Sequence, residues 1–363
     1  MTQMSVQKNR DMIERRTLNA PFYLRHPFLQ TAFASLKFRV SGAYLREKST
    51  FKLITTSSGT RLLGSYAEQA GAKGLVLLLH GWEGGIESTY ILRSGEHLFR
   101  QGYNIFRLNL RDHGDTHHLN EEAFNGTMID EVYEAMCQIS ELADNMPLFL
   151  MGFSLGGNFV LRAAIAHSTR KAKLKNVRHI LAVSPAVDPE MATIRIDEDR
   201  ILGPYFLNKW SQSLMKKQQL FPYLHDFRYA TSSRSVMELT SIGIPLFTPY
   251  RHVKDYFARY TTTGPFFKNL QVPTTIYTSA DDPIITEEDF LKIDPHPLLR
   301  IIISDRGGHN GFLTRGFHPA YLDLFHEIAA GAATNVDVAE QNGRAGSRKS
   351  SKRAKTASRS RKS

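Results

Sequence analysis

Three short stretches carry residue types that together could perform nucleophilic acyl transfer. The first is Gly152-Phe153-Ser154-Leu155-Gly156-Gly157, which follows the apolar run Leu148 to Met151 and precedes a helix-like run from Asn158 to His167. That is strand, tight turn and helix, with a serine at the apex, the pattern of a nucleophile elbow. Side chains two positions either side of the serine would collide with the adjoining strand and helix, so glycine lets the turn close. The start of the following helix supplies free N–H groups where an oxyanion would form.

The other two stretches come later. Asp281-Asp282-Pro283 follows the predicted strand Thr274–Ser279, and Gly307-Gly308-His309-Asn310-Gly311 follows the predicted strand Leu299–Ser304. Serine, then acid, then histidine, each at the carboxyl end of a strand, is the order this chemistry uses in open parallel sheets. Ser154 is therefore the expected nucleophile, His309 the base and Asp282 the carboxylate that orients the base. Asp282 is preferred to Asp281 because the apolar pair Ile284-Ile285 follows it. Asp188 ranks third, and each of the three otherwise reads as a turn or helix-cap residue. His318 and His326 lie in or beside the closing helix and are poorer bases.

The loop His80-Gly81-Trp82-Glu83-Gly84-Gly85 fits the other half of an oxyanion hole. Its Trp82 N–H would be the first donor and the Leu155 N–H the second, while His80 reads as structural. Arg111-Asp112-His113-Gly114-Asp115-Thr116-His117-His118 invites a metal assignment. Gly114, however, breaks the helix that would bring His113 and His117 to one face. A hydrogen-bonded loop flanking the site is the preferred reading, and neither a metal nor a cofactor is expected.

The elements that position these loops alternate. Phe51–Thr56 and Arg61–Tyr66 flank Ser57-Ser58-Gly59 as a hairpin. Strands follow at Gly74–His80, Tyr103–Leu110, Pro147–Met151 and His179–Ser184. Helices lie between them at Ile86–Arg100, Met128–Ala143 and Gly156–His167. This is an α/β chain with a mostly parallel central sheet and helices on both faces. The core is expected over 48–184 and 271–332, closed by a helix at His318–Ala330. Between them, 185–270 has helical patches such as Pro204–Leu220 and His252–Thr261 but no clear strand, and it reads as an inserted helical lid. Its Phe206, Trp210, Leu214, Phe221 and Tyr223 are candidates for an acyl pocket, although most are expected simply to pack the lid onto the core. Residues 1–47 form an N-terminal arm whose aromatic residues, Phe22 to Tyr44, are expected to pack on the domain.

Charge separates the ends of the chain from its middle. Of the net charge of +11 over 363 residues, nine Lys/Arg and no acid lie within 341–363, so the remainder is nearly neutral. Residues 333–363 are expected to be a disordered basic tail, either silent or loosely attached to anionic surfaces such as nucleic acid or lipid head groups. The lone Cys137 excludes an intramolecular disulfide and reads as a small core residue. No apolar run is long enough for a signal peptide or a membrane span, which makes a cytoplasmic location the expectation.

Taken together, the motifs resemble the YheT-like branch of the α/β-hydrolases, a group that includes abhydrolase-domain lipid esterases and yeast medium-chain ester synthases. The matching stretches are His26-Pro27-Phe28-Leu29-Gln30-Thr31, His80–Gly85 and Arg111–His118 with Leu119-Asn120. Gly152–Gly157, Tyr205–Pro222, Ala280–Pro283 and Gly308–Gly311 also match, and the resemblance runs over about 18–330. It implies an α/β-hydrolase fold with a Ser154–Asp282–His309 triad that cleaves carboxylic esters of short to medium acyl chains or lipids. Phe28 departs from the histidine that this branch carries there, and the basic tail lies outside the pattern. The same triad would serve an acyltransferase, ester synthase, thioesterase or peptidase. The tail alone would favour a non-catalytic nucleic-acid-binding protein.

Overall fold

The computed structural model describes residues 13–332 except 37–39 and 41. The basic tail 333–363 and the first twelve residues lie outside the described residues. A compact unit ends at Tyr321, and a second begins at Leu322. The latter is described only to residue 332, within a helix at 320–332.

The first unit is built on nine strands: β1 (Ile13–Arg16), β2 (Ser49–Thr55), β3 (Arg61–Ala67), β4 (Leu75–Leu79), β5 (Asn104–Leu108), β6 (Leu148–Phe153), β7 (Val177–Val183), β8 (Thr274–Ser279) and β9 (Leu299–Ser304). Their order across the sheet is β1-β9-β8-β7-β6-β4-β5-β3-β2. All pairs are parallel except β2 with β3 and β3 with β5. Strands β4, β5, β6 and β8 are buried at every residue, which explains the unbroken apolar runs of β4 and β6. After β4 the chain moves outward to β5, and after β5 it returns to the opposite side of β4 to form β6. The strand order thus reverses beside β4, and the crevice at the carboxyl ends of β4 and β6 is where such sheets bind ligands.

The helices that matter to this crevice are α1 (Pro27–Ser35), α2 (Ala43–Glu47), α3 (Thr89–Arg100), α4 (Ile129–Ser140) and α5 (Leu155–Thr169). Between β7 and β8 the chain forms no strand. It makes α6 (Pro189–Glu198), α7 (Leu202–Leu220), α8 (Val236–Phe247) and α9 (Val253–Ala258). Cys137, in α4, is half-buried against the main core.

The sequence pattern does not mark helix α6, and two further features depart from the sequence expectation. Ile13–Arg16 is a strand, paired in parallel with Ile301–Ser304 of β9. With a single apolar residue in four, it carries no strand pattern. It is an edge strand, and charged side chains suit an edge. The second is α8, hidden because Gly243 and Pro245 fall inside it. Its start is nonetheless well capped, by the Ser235 hydroxyl accepting from Glu238 N–H at 3.0 Å.

Helix α7 is tied to the core by a buried ion pair. Lys217 is 1% exposed, and its Nζ donates to Asp112 Oδ1 at 2.8 Å, His117 O at 3.1 Å and Asn120 O at 2.5 Å. The other oxygen of Asp112 accepts from Phe124 N–H at 2.8 Å. Next to it, Arg111 pairs with the buried Glu131 at 2.5 Å. Replacing one member of such a pair strands the other charge out of water. Lys217→Met is therefore expected to lower the unfolding free energy by about 3–5 kcal/mol in urea titrations. A change under about 1 kcal/mol would mean that Asp112 finds another partner and that this pair does not hold α7.

Candidate active site

Ser154 sits between β6 and α5 with φ 52° and ψ −118°. This left-handed backbone is strained by about 1–3 kcal/mol for a residue with a side chain, and the surroundings enforce it. The Ser154 N–H donates to Val183 O at 3.0 Å, and its carbonyl accepts from Asn158 N–H at 3.0 Å. A Cβ at residue 152 would run into the Gly156 carbonyl, and one at 156 into the carbonyls of Leu79 and His80. These are the helix and strand collisions expected from the sequence, and the obstructing atoms are backbone that cannot move aside.

His309 lies in the loop after β9. Its Nε2 is 2.9 Å from Ser154 Oγ, and its Nδ1 is 2.9 Å from Asp282 Oδ2 and 3.2 Å from Oδ1. Asp282 is 3% exposed, and its Oδ1 also accepts from the Ile284 and Ile285 N–H groups at 2.9 and 3.0 Å. The apolar pair that singled out Asp282 thus donates the bonds that hold it. The neighbouring Asp281 is turned to another task, accepting from Gly308 N–H at 2.8 Å. Asp188 caps α6 through Met191 N–H at 3.2 Å and pairs with Lys292 at 2.8 Å.

The loop after β4 closes over the serine. A Cβ on Gly81 would stand 3.1 Å from the Cβ of Ser154. The N–H groups of Trp82 and Leu155 have no hydrogen-bond partner among the described residues. Both residues line the cavity that contains Ser154 and His309. The Trp82 ring stacks on Phe206 (5.3 Å, 3°) and meets Trp210 edge-on (5.3 Å, 69°), joining this loop to α7.

The cavity has a volume of about 620 Å³. Of the five candidates, Phe206 and Trp210 line it, and Leu214 is packed in the core. Tyr223 does neither: it is 72% exposed, with its hydroxyl on Glu121 at 2.9 Å. Phe221 also lies outside the cavity wall. The apolar wall comes instead from Ile196, Val236, Phe257, Ile284 and Ile285, among others. Ile196 and Val236 belong to α6 and α8, helices that the sequence pattern did not reveal.

Sequence reasoning also missed the support beneath His309. The Thr31 hydroxyl accepts from His309 N–H at 2.9 Å. Gln30 is fully buried, with Nε2 donating to Leu313 O at 3.0 Å and Oε1 accepting from Leu313 N–H at 2.7 Å. Helix α1 therefore clamps the histidine loop. The available signal was a glutamine at an otherwise unremarked position of the stretch His26–Thr31.

The Arg111–His118 segment is a hydrogen-bonded loop. Among the described residues, no group of three or more His, Cys, Asp or Glu is placed to hold a metal ion. His80 is wholly buried, its Nδ1–H donating to Gly81 O at 2.7 Å and its Nε2 accepting from Leu110 N–H at 3.1 Å. Burial holds its pKa down at about 3, and those of His113 and His117 at about 4.

A serine on a strained elbow, relayed through histidine to a fixed carboxylate at the reversal point of a doubly wound sheet, is the architecture of serine hydrolases. Residues 74–315 match the alpha/beta hydrolase fold family, and the chain belongs to it. Its fold is similar to that of the Pyrococcus furiosus esterase Pf2001 (16% identity, TM-score 0.52, covering 88% of this chain and 98% of that one). It is also similar to a 2,6-dihydroxy-pseudo-oxynicotine hydrolase (14% identity, TM-score 0.53, covering 84% and 72%). Among the described residues, no helix is long and apolar enough to cross a membrane.

The three buried histidines make stability depend on pH. Each titrates near 6.5 when unfolded and at about 3 to 4 when folded. Above pH 6.5 neither state binds the proton. As the pH falls from 6.5 towards 4 only the unfolded chain takes it up, so stability is lost. Each histidine contributes a slope of up to about 1.4 kcal/mol per pH unit. Urea titrations between pH 7 and 4.5 are expected to show this fall, with a shallower slope in His80→Asn. An unchanged slope in the variant would show that His80 is not the buried neutral ring described.

Proposed function

We propose that the protein is a serine esterase of the YheT-like branch, acting on small carboxylic esters or lipid esters through an acyl-enzyme. The observation that carries this reading is the unbroken relay of 2.9 Å contacts from Ser154 Oγ to His309 Nε2 and from His309 Nδ1 to Asp282. His309 takes the serine proton as Ser154 attacks the ester carbonyl. Asp282 keeps the proton of the neutral imidazole on Nδ1, so that Nε2 is free to act, and it stabilises the imidazolium that forms. The Trp82 and Leu155 N–H groups, being unspent, hold the tetrahedral oxyanion. His309 then protonates the leaving alcohol, and water attacks the acyl-enzyme by the same route.

The apolar wall supplied by α6, α8 and Ile284-Ile285 takes the acyl chain. The helical segment between β7 and β8 acts as the lid over it, with the Trp82–Phe206 stack as its inner edge. A pocket closed in this way excludes water from the reacting carbonyl and strengthens each hydrogen bond to it.

Hydrolysis of p-nitrophenyl esters across acyl lengths, with fluorophosphonate labelling, tests the reading. Ser154→Ala is expected to lose labelling and to lower kcat by about 10⁴-fold or more. Asp282→Asn is expected to lose about 10³- to 10⁴-fold, and Asp281→Asn less than about tenfold. A folded wild-type protein that neither labels nor turns over any ester would remove the proposal. Equal losses in the two aspartate variants would reassign the orienting carboxylate.

A further inference from the structure

Helix α1 is turned inside out. Phe28, Leu29, Phe33 and Leu36 stand at i, i+1, i+5 and i+8, which an α-helix gathers on one side. Burying such a stripe is what normally fixes a surface helix to its domain. Here the buried side chains are Gln30 and Ala34 instead, while Phe28, Leu29 and Leu36 are exposed and Phe33 is half-buried. The inward glutamine is held by hydrogen bonds: besides its contacts with Leu313, its Nε2 donates to Leu24 O at 2.7 Å. Thr31, which accepts from His309 N–H, is also on the polar side.

The apolar side continues beyond the helix. Phe22 is 82% exposed and meets Tyr23 edge-on at 5.4 Å. Tyr23 lies 6.4 Å from Phe317, and Phe317 lies 5.3 Å from Phe33, between ring centres. The sequence reading has the aromatic residues of the arm packing on the domain; Phe22, Tyr23 and Phe28 instead face outward. Single exposed apolar residues are ordinary, but a contiguous group marks a surface that binds something. Phe28 stands where the branch that the chain resembles carries histidine, so this chain is the more apolar at that position.

The arginines beside this group select the partner. Arg25 and Arg315 are exposed, and neither has a carboxylate within ion-pair range among the described residues. Arg306 Nη1 donates to Arg25 O at 3.3 Å, and the carboxylate of Asp305 is 4.0 Å from its Nε. Aromatic and leucine side chains flanked by arginines fit an anionic lipid surface. The rings and methyl groups enter the acyl boundary, and the guanidinium groups meet phosphate. The face also adjoins the cavity. Ser35, the last residue of α1, lines it and accepts from Thr89 Oγ1 at 2.7 Å, and the exposed Leu36 follows.

We propose that the outer face of α1, with Phe22 and Tyr23 before it, docks the protein on an anionic lipid bilayer and brings the Ser35 end of the cavity against the membrane. The proposal uses no residue of the Ser154 relay and does not rest on the esterase reading.

The lysines and arginines of 341–363 would attract the same vesicles, so the test reads the face itself. Full-length Cys137→Ser protein carrying Phe22→Cys is labelled with a nitrobenzoxadiazole fluorophore and titrated with vesicles of phosphatidylglycerol or phosphatidylcholine. Leu53→Cys, at an exposed position of β2 on the opposite edge of the sheet, is the control. With phosphatidylglycerol the emission at residue 22 is expected to shift to the blue and to rise about twofold or more, while that at residue 53 stays unchanged. In flotation of unlabelled protein, Phe22→Ser with Leu29→Ser should weaken the partition coefficient by about tenfold or more. Arg25→Glu with Arg315→Glu should do so by a similar factor. Urea midpoints equal to that of the parent would show that these surface changes leave the fold intact. If Leu29→Ser lowers the midpoint, Phe22→Ser alone carries the comparison.

Vesicle binding that both double variants retain, with no change at residue 22, would place the contact elsewhere in the chain and overturn the proposal. Equal responses at residues 22 and 53, or equal binding to the two lipids, would do the same. So would a blue shift at residue 22 that needs no lipid and grows with protein concentration, the mark of a second copy on this face.

Discussion

The first turn of α5 must pass within backbone contact of the ends of β4 and β6, and most of the site follows from that one approach. It succeeds because residues 152 and 156 have no side chains, and it fixes Ser154 in a left-handed conformation that serine does not otherwise favour. Once the elbow is closed, the Leu155 N–H is left at a helix start with nothing to bond. The neighbouring loop after β4 presses Gly81 against the serine. The strained serine and the unbonded N–H beside it are thus products of one steric constraint rather than separately placed parts.

Around this centre, buried polar groups outside the Ser154–His309–Asp282 relay hold the loops in register. His80 bridges its own loop to Leu110, and Asp112 with Lys217 joins the next loop to α7. Arg111 and Glu131 fasten the same loop to α4. The His/Asp-rich segment that suggests a metal site therefore serves as a clamp between α7 and α4. Its ions are buried, where partial disruption is more damaging than at the surface.

How legible all this is from sequence depends on how far each signal extends along the chain. The parallel core reads well, because strands such as Leu75–Leu79 and Leu148–Phe153 are buried on both faces and so are apolar without interruption. The elbow reads well because its glycines are a local steric demand. Ser154, His309 and Asp282, far apart in the chain, form one hydrogen-bonded relay. What is hidden depends on contacts between distant segments. Nothing local marks Lys217 as buried on a helix that otherwise alternates polar and apolar residues. Ile13–Arg16 becomes a strand only because β9 offers it an edge. Gln30 and Thr31 become supports of His309 only when α1 docks on the loop, and Tyr223, which has the composition of a pocket residue, projects into solvent.

The contact between Thr31 and His309 has a consequence for how the protein comes into being. It joins residues 278 apart in the chain, and Ser154 and His309 are themselves separated by 155. At ribosomal rates of about 5–20 residues per second, roughly eight to thirty seconds pass between emergence of Ser154 and emergence of His309. Through that interval the Ser154 hydroxyl lacks the partner it has in the folded chain, His309 Nε2. The order of the parts along the polypeptide therefore acts as a timer, leaving the Ser154–His309–Asp282 relay incomplete until almost the whole domain has been made.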